Sequence, residues 1–326
     1  MQPETKQDKF ARFAWLVLGW NIIVILWGVF LRASKSGDGC GQHWLTCQGE
    51  VIPSAPALKT VIEFSHRITS SLDGLLLIGL LVWAFLVWKR VKTDSAKRIL
   101  KMAAGSFVFV VIEGLLGAGL VLTGNTAETL TPERPFWMAA HLVNTLILLT
   151  FLTLTARYAS GGKPLNFRVE KKYLLAILIG FAAILLVGIT GSIAALSHMI
   201  FPSGTIAEGI AKDFSPTSNI LLRLRLLHPI TAILTSVFVI FLTGWLTKEC
   251  GKERLVVRWS NILSILILAQ IAFGSLTLLT LAPILMQLGH LLFVDLIWIS
   301  YVMFAASFLS TERPIETVEL DAVIEP

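Results

Sequence analysis

Glu63-Phe64-Ser65-His66-Arg67-Ile68-Thr69 opens one long apolar run of this chain, and Arg225-Leu226-Leu227-His228-Pro229-Ile230-Thr231 opens another in its second half. Superposed on their histidines, the two stretches share the pattern His-x-Ile-Thr at one depth of an apolar span. An ionisable ring inside a membrane is costly and points to function. His141 and His290 take corresponding places in two further runs. All four lie roughly six to nine residues into alternate spans, which at 1.5 Å per residue is roughly 7–14 Å below one membrane edge.

The surrounding composition fits a membrane setting. Of 326 residues, 55% are hydrophobic and 15% charged, and the mean hydropathy is +0.76, which excludes an ordinary soluble core. A stretch of about 20 apolar residues crosses the hydrocarbon. By that rule eight spans are predicted, at roughly 13–31, 61–88, 99–122, 136–156, 173–196, 220–246, 256–281 and 284–309. The first has a short polar tail before it and no small-residue cleavage site, so it is expected to stay as an anchor rather than act as a signal peptide. The tail is neither long nor rich in Arg and Ser, which argues against a transit peptide.

Lys89, Arg90, Lys92, Lys97, Arg98 and Lys101 crowd the connection between the second and third spans. Arg157, Lys163, Arg168, Lys171 and Lys172 fill the connection after the fourth, and Lys248, Lys252, Arg254 and Arg258 that after the sixth. The opposite loops are poor in Lys and Arg, so both termini are expected in the cytoplasm and the cysteine-bearing loop outside. This asymmetry accounts for the net charge of +6 and gives no sign of a nucleic-acid partner. The tail 310–326, with Glu312, Glu316, Glu319, Asp321 and Glu325, reads as a solvated acidic end.

A weak internal repeat runs through the chain. Glu113 lies four residues before Gly117 in the third span, and Gln270 four before Gly274 in the seventh. Pro135 precedes His141, and Pro283 precedes His290. Four spans per repeat give both halves one orientation, related by an axis along the membrane normal. The expected fold is therefore an all-α membrane protein of eight transmembrane helices in two parallel-repeat four-helix bundles. The predicted organisation is a tail 1–12, a first bundle 13–158 with an outer cysteine loop 32–60, a linker 159–172, a second bundle 173–309, and the tail 310–326.

His66 can then face His141 within the first bundle, and His228 can face His290 within the second. We read each pair as axial ligands of a haem, with Gly114, Gly117, Ala118, Gly119, Gly274 and Ser275 as small residues that let a flat macrocycle approach the backbone. Interhelical hydrogen bonding explains a single such histidine equally well. It does not require one register in both repeats. A proton relay would string polar groups across the bilayer, whereas these cluster on one side. Zinc lacks a third and fourth ligand of Cys or acid type near each pair.

Glu63 lies three residues before His66, on the same helix face. A carboxylate there can take up a proton or stabilise developing positive charge. Thr60-Val61-Ile62-Glu63 also reads as a capping box, with the acid in a first helical turn. The second repeat carries Arg225 in place of Glu63, which favours one reactive site and one that only binds or transfers electrons. Arg67, Arg223 and Arg225, at the outer ends of their spans, are candidates to meet haem propionates or to snorkel at the interface. Cys40 and Cys47 lie in an outside loop where thiols can oxidise, as a redox pair or a structural staple. Cys250 reads as a bystander thiol. Residues Thr205–Lys212 of the loop 197–219 are expected to form a short surface helix, and His43 and His198 to be exposed.

Eight spans in two repeats, the Gly39-Cys40-x6-Cys47 loop, Glu63-x-x-His66-Arg67, and histidines in alternate spans together resemble the haem A synthase family over residues 13–309. The resemblance implies a bacterial cell-membrane oxidoreductase that converts haem O to haem A, oxidising the C8 methyl to a formyl group by successive hydroxylation. His66 and His141 would then hold the substrate haem O, with Glu63 as the functional acid, and His228 and His290 would hold a haem b that transfers electrons. Cys40 and Cys47 would match the outer-loop pair, with a disulfide or redox role. The implied partners are a haem O synthase, the cytochrome c oxidase assembly machinery, the lipid bilayer, and a quinone or other electron acceptor. The chain departs from the family pattern in having no second cysteine pair between spans five and six, Leu45 where proline is frequent, and Pro229 where arginine is common after the histidine. A relay built on two cysteine pairs is thereby ruled out. Two other functions fit the residues alone: a di-haem b-type electron-transfer cytochrome without methyl-oxidising activity, and a proton-coupled transporter built on parallel repeats.

Overall fold

The computed structural model describes residues 6–126 and 131–311. Within them the chain is helical apart from its connections: α1 (Lys6–Ala33), α2 (Leu58–Val91), α3 (Asp94–Leu122), α4 (Arg134–Ala159), α5 (Lys171–Ile200), α6 (Ile206–Phe214), α7 (Ile220–Arg225), α8 (Leu227–Glu249), α9 (Arg254–Leu279) and α10 (Ile284–Leu309). Among the described residues, eight stretches are long and apolar enough to cross a membrane, α7 and α8 together making one of them. The all-α membrane architecture is as predicted. The acidic tail lies outside the described residues from position 312 onward, as does the N-terminal tail up to position 5.

Local chemistry sets the helix ends. Thr93 caps α3 by accepting from Ala96 N, and the Glu253 side chain caps α9 by accepting from Leu255 N and Val256 N. The short α6 falls where a surface helix is predicted. Thr205 accepts from Glu208 N, and Glu208 in turn accepts from Gly204 N at 2.7 Å, the reciprocal satisfaction that starts a helix in water. The capping box expected at Thr60–Glu63 does not form. Helix α2 starts earlier, at Leu58 after an extended Ala57, and the Thr60 hydroxyl instead donates to the Gly39 carbonyl at 2.9 Å.

The sixth span is broken where the sequence suggests one continuous helix. Pro229 has no N–H to give to the Arg225 carbonyl and its ring crowds that carbonyl. The chain therefore ends α7 at Arg225 and begins α8 at Leu227, one residue before His228. The seventh span ends at Leu279, short of the predicted end, because Leu281 and Ala282 turn the chain with φ of 60° and 52°.

Helices α1 to α4 pack in sequence around one another, with α1 also against α4; α5, α7/α8, α9 and α10 form a second group. This packing is compatible with two four-helix bundles in parallel repeat. The groups meet along α4, α10, α1 and α5. That seam is densest towards the face bearing the basic connections, where Leu149, Leu152, Tyr301, Phe304 and Phe308 are fully buried. Trp298 Nε1 donates across it to Thr150 Oγ1 at 2.9 Å. Arg157 crosses it to the Ala306 carbonyl and the Ser310 hydroxyl, and the Asn166 amide donates to the Leu309 carbonyl. All four histidines lie in the opposite half of the molecule, the half closed by the cysteine loop.

Candidate haem-binding site

In the second group of helices, α8 and α10 bring the His228 and His290 rings together, with centres 6.2 Å apart and planes perpendicular at 89°. An imidazole nitrogen lies about 1.1 Å from its ring centre and about 2 Å from a bound metal, so two rings gripping one iron from opposite sides have centres about 6 Å apart. At this spacing His228 and His290 would fit a haem iron between them, histidine being a common haem ligand. Thr190 Oγ1 lies 3.4 Å from His228 Nδ1 and 3.0 Å from Thr231 Oγ1. Gln270 Nε2 donates to the His290 carbonyl at 3.0 Å. These contacts fix the turns that bear both histidines, as groups just behind a metal ligand would.

In the first bundle, His66 on α2 and His141 on α4 are near enough for charge on one to act on the other. His66 Nδ1 is buried without a hydrogen-bond partner among the described residues. His141 Nδ1 lies 3.5 Å from Glu113 Oε1. The Glu113 carboxylate is itself held by Asn144 Nδ2 and by the Thr145 hydroxyl. His141 Nδ1 makes no hydrogen bond among the described residues; if His141 held a metal, a carboxylate this near would act on its basicity. In the sequence Glu113 serves only as a marker of register. Its match to Gln270, with the histidine partners aligned, is the signal that promotes it to a site residue.

Glycine packs against three of the four rings. A Cβ on Gly28 would lie 3.1 Å from His66 Cε1, one on Gly191 2.9 Å from His228 Cε1, and one on Gly274 2.8 Å from His290 Cε1. Gly28 and Gly191 come from α1 and α5, spans in which the sequence predicts no site residue. The small residues expected to admit a macrocycle divide on inspection. Gly117 is open, with nothing within 4 Å of where a side chain would begin, and so is Gly114. Gly119 is covered by the Trp137 ring, only 2.4 Å from such a Cβ position. Gly274 packs against the His290 ring and is not open to a macrocycle.

Each pocket has a cover, and the residue three before the histidine ties it down. Glu63, 3% exposed, accepts from the Cys40 amide at 2.8 Å and pairs with Arg67. Arg67 continues to the carbonyls of His43, Trp44 and Thr46. Cys40 and Cys47 are joined in a disulfide, and Gly39 lies so close to α2 that a side chain there would strike the Lys59 backbone. In the second half Arg225 pairs with Asp213 at 2.6 Å and donates to the Gly209 carbonyl, anchoring α6. Opposite charges thus perform the same task at matched positions. Arg223 donates to the Pro216 carbonyl at 3.0 Å. His43 is exposed as expected, whereas His198 lies at the end of α5, partly buried. Cys250 is a partly buried thiol outside either pocket.

A family model described as COX15-CtaA, cytochrome oxidase assembly protein, matches residues 11–302. The chain belongs to this family. Relatives of this COX15-CtaA chain fall into two kinds. Over 314 residues the chain is 40% identical to a protein of Thermus thermophilus named protoheme IX farnesyltransferase, covering 96% of this chain and 50% of that protein. The chain thus spans half the length of that relative. It is 30% identical over 282 residues to a heme A synthase of Alkalihalophilus pseudofirmus, covering 85% of this chain and 90% of the relative. It is also 30% identical over 285 residues to a heme A synthase of Halalkalibacterium halodurans, at 85% and 89% coverage.

Proposed function

We propose that this COX15-CtaA chain is a haem A synthase, an oxidoreductase that converts the C8 methyl of haem O to a formyl group and so supplies haem A for cytochrome c oxidase assembly. The observation that carries the reading is the asymmetry of two otherwise matched histidine pairs. The second pair is closely seated, with rings at iron-spanning distance and glycine behind each. The first has an open Gly117, a carboxylate behind His141 and a second carboxylate, Glu63, one turn from His66. Support also comes from the two heme A synthases matched over most of their length.

In this reading His228 and His290 hold a resident haem b, which passes electrons on when bound. His66 and His141 hold haem O as substrate. The chain's own residues do three things there. The histidines orient the macrocycle between α2 and α4. The disulfide loop, held by Glu63 and Arg67, covers the outer edge of the pocket. Glu63 stands ready to take up a proton released from the substrate carbon. In balance, the methyl carbon gains one oxygen atom from water and releases four protons and four electrons, the electrons passing to a quinone or another membrane acceptor. We place the disulfide face outside the cell membrane and both termini in the cytoplasm, on the strength of the basic connections at the other face. Haem O synthase is the proposed donor, a role consistent with the name of the longer Thermus relative.

The test is mass analysis of haems extracted from the purified wild type and from each His→Ala variant in a host that makes haem O. Haem A or its hydroxylated precursor is expected from the wild type only. His66→Ala and His141→Ala are expected to lose farnesylated haem while keeping protohaem, and His228→Ala and His290→Ala the reverse. Protohaem alone in every sample would reassign the chain as an electron-transfer cytochrome. Glu63→Gln is expected to keep both haems and lower product at least tenfold; undiminished product would reduce Glu63 to an anchor of the loop.

A further inference from the structure

A cavity of about 190 Å³ opens between the two groups of helices at the disulfide face. Arg32, Lys35 and His198 contribute its basic lining, and Ala195 and Gln287 lie on its other walls. Its position relative to the histidines is set by the helices. Arg32 is one turn beyond Gly28, the residue against the His66 ring, and so on the same side of α1. Ala195 stands in the same relation to Gly191 on α5, and Gln287 is one turn from His290 on α10. The cavity therefore lies just above both histidine pairs, where the edges of two bound macrocycles would approach each other.

Arg32 lines the cavity half-buried, with a second guanidinium, Arg134, near enough for its charge to act on it, and Arg32 makes no ion pair with a carboxylate among the described residues. A guanidinium withdrawn from water beside another is stabilised by an anion, and a planar oxyanion is what the guanidinium fork matches. The three arginines that the sequence offers for this purpose are engaged: Arg67 with Glu63 and three loop carbonyls, Arg223 with Pro216, Arg225 with Asp213 and Gly209.

We infer that Arg32, supported by Arg134, binds an oxyanion in this cavity, and that the oxyanion is a propionate carboxylate of the haem held by His66. The inference rests on the haem-binding reading above. It makes Arg32 a positioning residue: a carboxylate fixed one turn above the ligand sets the rotation of the macrocycle about the axis joining His66 and His141, and so which methyl faces Glu63. The second repeat, with Ala195 in the equivalent place, supplies no such anchor from α5. A phosphate of an anionic lipid presents the same chemistry to the cavity.

The test uses the full chain in nanodiscs of zwitterionic lipid, titrated with ferric protoporphyrin IX and with its dimethyl ester, followed by the Soret band. The wild type is expected to prefer the free acid at the first site. Arg32→Gln is expected to bind the acid at least tenfold more weakly while its affinity for the ester is unchanged, with Arg32→Lys in between because the charge stays and the fork is lost. Retention of haem at His228 and His290 reports that the variants are folded. Should Arg32→Gln fail to fold, a lost acid-over-ester preference in Arg32→Lys supports the assignment, and an intact one overturns it. Equal affinity of the wild type and Arg32→Gln for the acid overturns the assignment. So does loss of tightly bound lipid phosphorus from Arg32→Gln with unchanged acid affinity, which would give the oxyanion to a lipid. Absence of a Soret band from the wild type would remove the haem reading itself, and this assignment with it.

Discussion

At the scale of single residues the two bundles differ most in what stands behind the ligand. Glu113 behind His141 is a carboxylate, and Gln270 beside His290 is its neutral counterpart. A carboxylate makes the imidazole a stronger donor and favours the oxidised metal. Glu113→Gln is therefore expected to raise the midpoint potential of the first-bundle haem and leave the second unchanged, as a redox titration monitored optically would show. A shift in both would mean that the carboxylate acts through general electrostatics. Arg67 poses a stability question instead. Removing it by Arg67→Ala leaves Glu63 buried with its charge unpaired, at a cost of about 3 kcal/mol. Thermal unfolding in detergent should register the loss, and Glu63→Gln in the same chain should restore most of it. Of these residues, the histidines and Glu63 are legible in the sequence because a titratable group in an apolar run stands out. Glu113 marks register there without a role, and Arg32 reads as one more cation at a span end, because neither a partner across a bundle nor the lack of one is visible in a linear sequence.

At the scale of elements, hydropathy places every span, since a helix is the only open segment that satisfies its backbone in lipid. What it misses comes from breaks in regularity. Pro229 stands out in the sequence beside His228, yet its larger effect is to divide α7 from α8 next to that histidine. The capping box at Thr60 fails because the Gly39 carbonyl of a distant loop competes for the threonine hydroxyl. Glycines Gly28, Gly191 and Gly274 are ordinary small residues of a membrane helix until the rings opposite them are known. Gly274→Val is expected to push the His290 ring out of line and convert the second haem from six- to five-coordinate, seen as a change from low to high spin. Gly244, with nothing within 4 Å, should accept the same substitution with no spectral change.

At the scale of the whole molecule the two groups of helices are joined mainly at the end remote from the histidines. Arg157 carries much of that junction, bonding to Lys163, Ala306 and Ser310. Arg157→Ala strips partners from several buried carbonyls and is expected to cost about 2–4 kcal/mol. The expected sign is a lower unfolding temperature in detergent with both haem spectra initially intact. Simultaneous loss of haem and fold at ordinary temperature would instead make the junction a condition for the pockets. The two-bundle plan read from the repeat is compatible with the way α1 to α4 and the later helices group. The seam is not, because aromatic residues such as Phe304 and Phe308 look alike in a sequence whether they meet lipid or another helix.

A clothes-peg gripped at its spring keeps its jaws aligned however often they part. With the joint between halves concentrated at one end, a flat pigment, on the function proposed above, would slip in from the lipid side and leave again chemically altered. Neither passage need disturb the packing that keeps the polypeptide in one piece.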